Sequence, residues 1–146
     1  MQKFLMALAV GCGLAAATPA LAEDAPRHAT LYKNPECGCC ENYADYLREN
    51  GFDVTVVPTH DLAKMNREAG IADNFSGCHL AVIDDYVVSG HVPIATVERL
   101  LSERPDIKGV TLPGMPLGSP GMGGSKTGPF TIYAIGEGVP AVYAIE

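Results

Sequence analysis

Residues 29–50 read ATLYKNPECGCCENYADYLREN. Ala29 to Lys33 is a short β-type run, and Asn34-Pro35-Glu36 is a turn. Glu41 to Asn50 carries Tyr43, Tyr46 and Leu47 on one helical face before Gly51 stops the helix. Cys37, Cys39 and Cys40 therefore fall on a strand-to-helix turn. Cys37 and Cys40 are three residues apart, so their sulfurs can meet on the first helical turn, where the helix N-terminus favours a thiolate at Cys37.

The chain downstream alternates in the same way. Phe52 to Val57 is a β-branched run ended by Pro58. Asp61 can cap a helix running through Ala69, with Leu62, Met65 and Ala69 on one face and Gly70 closing it. Leu80 to Ile83 and Tyr86 to Val88, joined at Asp84-Asp85, read as a β-hairpin. Pro93 opens a helix with Ile94, Val97, Leu100 and Leu101 inward, and Pro105 ends it. The order β-α-β-α-β-β-α over residues 29–104 resembles the thioredoxin-like fold, an α/β domain whose central mixed sheet is flanked by helices; this is a fold-level analogy. Gly109 to Gly128 is rich in Gly and Pro, holds Met115 and Met122, and reads as one long loop. Phe130 to Ile135 and Val139 to Ile145 flank Gly136-Glu137-Gly138 as a second hairpin. Residues 109–146 are thus a loop-and-hairpin extension of the 29–104 core.

The N-terminus reads as a signal peptide over residues 1–22. Lys3 gives a positive start, Phe4 to Ala17 is apolar but too short for a membrane span, and Ala20-Leu21-Ala22 supplies the small residues for cleavage after Ala22. The alternative is a lipoprotein modified at Cys12. Residues 23–146 then form a single domain with one hydrophobic core. Without Lys3 that part holds nine Lys and Arg against seventeen acids, net −8. The charge excludes nucleic acid as a partner, disfavours anionic membranes, and is compatible with cations. No second apolar span follows, so no membrane insertion is expected after processing.

Cys37, Cys39, Cys40 and Cys78 remain, in a compartment where disulfides form unless a metal or partner keeps the thiols reduced. Three pairings are open. Structural stapling explains the pattern poorly, because three cysteines within four residues close no useful loop. A simple dithiol pair leaves Cys39 over, and a third thiol there invites wrong exchange. In thioredoxin-like folds the loop before the third strand packs against the active cysteines and normally carries a cis-proline; here it carries Cys78. Four thiolates together need a cation, and sulfur ligands select soft ions such as Cu(I), with Zn(II) also accommodated. His79, His91, Met115 and Met122 stand nearby in the sequence and favour copper over zinc, which has no use for thioethers. Each also has an ordinary role available: a core or surface histidine, or a methionine packing the loop. His60, beside a helix cap, reads as structural, His28 as part of a tail, and Met65 as core.

Four segments together resemble the bacterial copper-resistance family CopG: Asn34-Pro35-Glu36-Cys37-Gly38-Cys39-Cys40, Cys78-His79, Gly90-His91-Val92-Pro93, and Pro113-Gly114-Met115-Pro116-Leu117-Gly118-Ser119-Pro120-Gly121-Met122. The resemblance covers nearly all of residues 23–146. It implies a periplasmic, thioredoxin-like protein that binds several copper ions through bridging cysteines and cycles copper between Cu(I) and Cu(II). It makes Cys37, Cys39, Cys40 and Cys78 the bridging sulfurs, with His79, His91, Met115 and Met122 as candidate ligands or near neighbours. Copper ions, and other periplasmic copper-handling or electron-transfer proteins, are the partners it implies.

Three functions fit. The first is a copper-binding redox protein. The second is a thiol-disulfide oxidoreductase with Cys37 attacking and Cys40 resolving. The third is a copper buffer or chaperone without redox change.

Overall fold

The computed structural model describes residues 25–146; the expected signal peptide over residues 1–22, its expected cleavage after Ala22 and Cys12 lie outside them. Among the described residues seven strands form one sheet: β1 (Arg27–Lys33), β2 (Phe52–Pro58), β3 (His79–Ile83), β4 (Tyr86–Ser89), β5 (Gly109–Thr111), β6 (Thr131–Ile135) and β7 (Ala141–Ile145). Three α-helices among the described residues accompany it: α1 (Gly38–Glu49), α2 (Leu62–Glu68) and α3 (Ile94–Glu103). The spatial order is β2-β1-β3-β4-β5-β6-β7. β1 and β2 run parallel around the α1 crossover, and β3 lies antiparallel against β1, with Lys33 opposite His79 and Leu31 opposite Ala81. No helix among the described residues is long and apolar enough to cross a membrane.

Alternation along the strands sorts the core into two layers. Ala29, Leu31, Ala81, Ile83 and Val88 face α1 and α3, whose Tyr43, Ala44, Leu47, Val97 and Leu100 are fully buried among them. The intervening Leu80, Tyr32 and Val87 face the other way and meet Leu62, Met65 and Ile71. Both packed faces explain why the central strands read as apolar runs.

Several boundaries differ from the sequence reading. α1 begins at Gly38, so Cys39 and Cys40 lie inside the helix and only Cys37 stands at its N-cap position. Residues 109–128 are not loop throughout: Gly109–Thr111 form β5, parallel to β4 and antiparallel to β6. Three residues are too few to show a period, and the Gly and Pro around them hide the strand. β7 starts at Ala141 because Pro140 lacks a ladder donor. His28 belongs to β1 rather than to a tail, and its Nδ1 lies 3.3 Å from Asp53 Oδ2 on β2. α3 closes at Glu103 with Arg104 left-handed, since the residue before Pro105 is barred from helical geometry.

Candidate metal centre

The first sulfurs are set by the turn between β1 and α1. The Asn34 carbonyl accepts the Cys37 N–H at 3.0 Å, which folds the chain back so that Cys37 starts the helix. Cys40 follows one turn later and is joined to Cys37 in a disulfide. Of the three open pairings, each of two disulfides, one is half formed: Cys37 and Cys40 are joined, and Cys39 and Cys78 are free thiols among the described residues. Cys39 Sγ lies 3.5 Å from Cys37 Sγ and 3.9 Å from Cys78 Sγ, and Cys78 Sγ lies 3.5 Å from Cys40 Sγ. All four sulfurs fall within 4.8 Å of one another.

Cys78 reaches them because two glycines let separate segments touch. A Cβ on Gly77 would stand 2.3 Å from Gly90 Cα, so the backbones before Cys78 and before His91 are in contact only without side chains there. His91 Nε2 consequently sits 3.0 Å from Cys78 Sγ, and His79 Nδ1 lies 3.6 Å from the same sulfur. Cys78, His79 and His91 form a second group with ligand atoms within 4.8 Å, sharing Cys78 with the first.

The tautomer of His91 follows from its other nitrogen. Nδ1 is 2.6 Å from the Pro120 carbonyl, which can only accept, so Nδ1 carries the proton and Nε2 turns a lone pair to Cys78. A fixed second nitrogen is the usual support of a metal-binding imidazole. His79 is fully buried; its ring stacks on Tyr43 with centroids 4.5 Å apart, and its Nε2 has no hydrogen-bond partner among the described residues. Tyr43 is held in turn by donating to the Val92 carbonyl at 2.8 Å.

Burial sets the charge states. It pushes the Cys78 thiol up to about 12, with Cys39 adding to the effect. It pushes His79 down to about 3, with His91 beside it contributing, and it lowers His91 against the opposing Pro120 carbonyl. At neutral pH both imidazoles are therefore neutral, each with one unprotonated nitrogen, and Cys78 is a thiol whose S–H finds its nearest acceptor in the His91 Nε2 lone pair, a bond that coordination would require it to give up. Sulfur and neutral imidazole are a donor set that fits soft and borderline ions, copper and zinc among them.

The fold thus brings Cys37, Cys39, Cys40, Cys78, His79 and His91 together. Met115 and Met122 lie on the loop that supplies Pro120. Met115 is 54% exposed, and Met122 is half-buried next to Gly121. Gly121 itself presses on α1, with its carbonyl accepting from Asn42 Nδ2 at 3.2 Å. A cleft of about 470 Å³, lined by Asn34, Pro35, Glu36, Cys37 and His60, opens on Cys37. Cys40 is buried, so Cys37 is the disulfide sulfur closer to solvent. Sequence reasoning missed the Pro120 carbonyl, the Tyr43 support and the buried Lys33 beneath the turn.

Two solved structures, described as Copper resistance protein copG, Form 1 and Form 2, each match with a TM-score of 0.76 at 34% identity, over 83% of this chain and 98% of theirs. The chain belongs to the CopG copper-resistance family. The seven-stranded mixed α/β sheet is the CopG fold, and the Cys and His cluster of this CopG homologue is a site able to bind metal. A family model described as Protein of unknown function, DUF411, matches residues 75–122, the span from just before Cys78 to Met122. No curated protein matches.

Proposed function

We propose that this CopG homologue is a periplasmic copper-resistance protein that holds several copper ions bridged by Cys37, Cys39, Cys40 and Cys78, and that it interconverts Cu(I) and Cu(II). The observation that carries the reading is the meeting of four sulfurs with the lone pair of His91 Nε2 at Cys78. A dithiol oxidoreductase has no need of Cys39, Cys78 and a pre-oriented imidazole; a site that shares sulfurs among soft ions does. The strand order β2-β1-β3-β4 and the cysteines at the head of α1 support the thioredoxin-like description of the core. Redox balance is direct: two thiols closing to the Cys37–Cys40 disulfide release two protons and two electrons, which reduce two Cu(II) to Cu(I). In the reverse direction two Cu(I) give their electrons to the disulfide, which takes up two protons and reopens as two thiols; an outside electron donor or acceptor then resets the pair, a role for periplasmic electron-transfer or copper-handling partners. Residues 1–22 provide the export step.

The test is anaerobic titration of the reduced, purified protein with Cu(I), counting copper per chain beside Cys39→Ser. More than one copper, falling in the variant, supports the shared cluster; zero or one removes it. A thiol-disulfide oxidoreductase is the second reading, favoured by the half-exposed Cys37 joined to the buried Cys40. Insulin reduction at thioredoxin-like rates without copper binding would put it first.

A further inference from the structure

Lys33 ends the inward stripe Ala29, Leu31, Lys33 of β1 and is only 2% exposed. Its ammonium donates to the Asn34 carbonyl at 3.1 Å and to the Pro35 carbonyl at 3.0 Å, and it lies 3.2 Å from Glu41 Oε1 on the first turn of α1. All three N–H bonds of the ammonium are thus used. The Asn34 carbonyl that receives Lys33 also receives the N–H of Cys37. A buried charge is expensive to hold, and this one sits on the two carbonyls and the carboxylate that frame the cysteine turn. Glu41 is half-exposed, so water weakens its counter-charge and leaves a net positive field under the cluster.

We propose that Lys33 is a positioning and charge-setting residue of the cysteine site: it clamps the Asn34–Glu36 turn and makes the Cys37–Cys40 disulfide easier to reduce. Reduction by a thiol such as glutathione brings two electrons to the disulfide and leaves the reductant as its own disulfide; where Cys37 ends as a thiolate at the helix N-terminus one proton is taken up and the site gains a negative charge. A fixed positive charge two hydrogen bonds from the Cys37 backbone lies within the roughly 10 Å over which charges act at ordinary salt, and it favours that negatively charged reduced state. The inference concerns the metal-free disulfide and stands apart from the copper reading.

The experiment equilibrates the copper-free protein with glutathione redox buffers at pH 7 and reads the Cys37–Cys40 state by thiol alkylation and mass. Lys33→Met is expected to make the disulfide about tenfold harder to reduce, a shift of about 30 mV. Lys33→Arg stays within about threefold of wild type. Glu41→Gln removes the counter-charge and leaves the ammonium, so it moves the equilibrium the opposite way, toward the thiols. Opposite signs for Lys33→Met and Glu41→Gln support the proposal. Shifts of the same sign, which a purely mechanical clamp predicts because both variants loosen the turn, overturn it, as does no shift in either. If Lys33→Met fails to fold, Glu41→Gln decides alone: easier reduction supports the charge role, and harder or unchanged reduction ends it. Copper stoichiometry, measured separately on the same proteins, tests the copper reading without bearing on this outcome.

Discussion

His91 Nε2 lies 3.0 Å from Cys78 Sγ while Nδ1 of the same ring is held at 2.6 Å by the Pro120 carbonyl. The ring is thereby fixed in one tautomer and one orientation. His91→Phe keeps a ring of similar shape and deletes both nitrogens. Metal sites that lose only the outer partner holding a ligand typically lose about 10–100-fold in affinity, and loss of the ligand with it costs at least that. Competition against a Cu(I) chelator should show a loss of at least that size, while the melting temperature of the copper-free protein changes little. Unaltered affinity would mean that His91 only packs against Cys78.

The Pro120 carbonyl is where it is because Gly121 packs on α1. At φ +78 a Cβ on Gly121 would stand 2.7 Å from Tyr43 N and 3.0 Å from Tyr43 Cα. Gly121→Ala must lift the loop off the helix and draw the carbonyl from His91. The expected outcome is a destabilisation of roughly 1–3 kcal/mol, read by urea melts, together with weaker copper binding although no ligand is altered. Retained copper affinity would show that the loop is not needed to hold His91.

Part of this was legible in the sequence. The periods of β1 through α3 and the strand-to-helix placement of the cysteines are local features, and the fold reproduces their order. The position of Cys78 came from fold-level analogy and agrees with the sulfur distances. Other features leave no mark on residue identity. β5 is three residues among Gly and Pro, and α1 starts early because tertiary packing overrides the weak helix propensity of Gly38 and two cysteines. Lys33 looks like the surface end of a strand; its partners are mostly backbone carbonyls, which every residue has. The disulfide partner of Cys37 required coordinates, since spacing left three pairings open.

Cys78 enters the proposed copper binding as a thiol. Burial, then the neighbouring Cys39, pushes it up to about 12, so at pH 7.5 it holds a proton that a metal must displace. Adding Cu(I) to the reduced protein in weak buffer should release protons, and Cys78→Ser should release about one fewer per chain than wild type. An equal count in the two proteins would show that Cys78 is not deprotonated on binding.

His79 makes the copper-free protein sensitive to acid. Burial and the adjacent His91 push it down to about 3, whereas in the unfolded chain it titrates near 6.5. Between those values the unfolded chain binds a proton that the folded chain refuses. Protons therefore favour unfolding, and stability falls as pH drops through that window. Each pH unit corresponds to about 1.4 kcal/mol, so the His79 contribution between pH 7.5 and pH 5 is about 2 kcal/mol of lost stability. His91, also lowered, adds in the same direction. His79→Phe preserves the stack on Tyr43 and removes the titrating ring. Urea melts at the two pH values should show a clearly smaller difference for the variant than for wild type. Equal differences would assign the acid sensitivity to other groups.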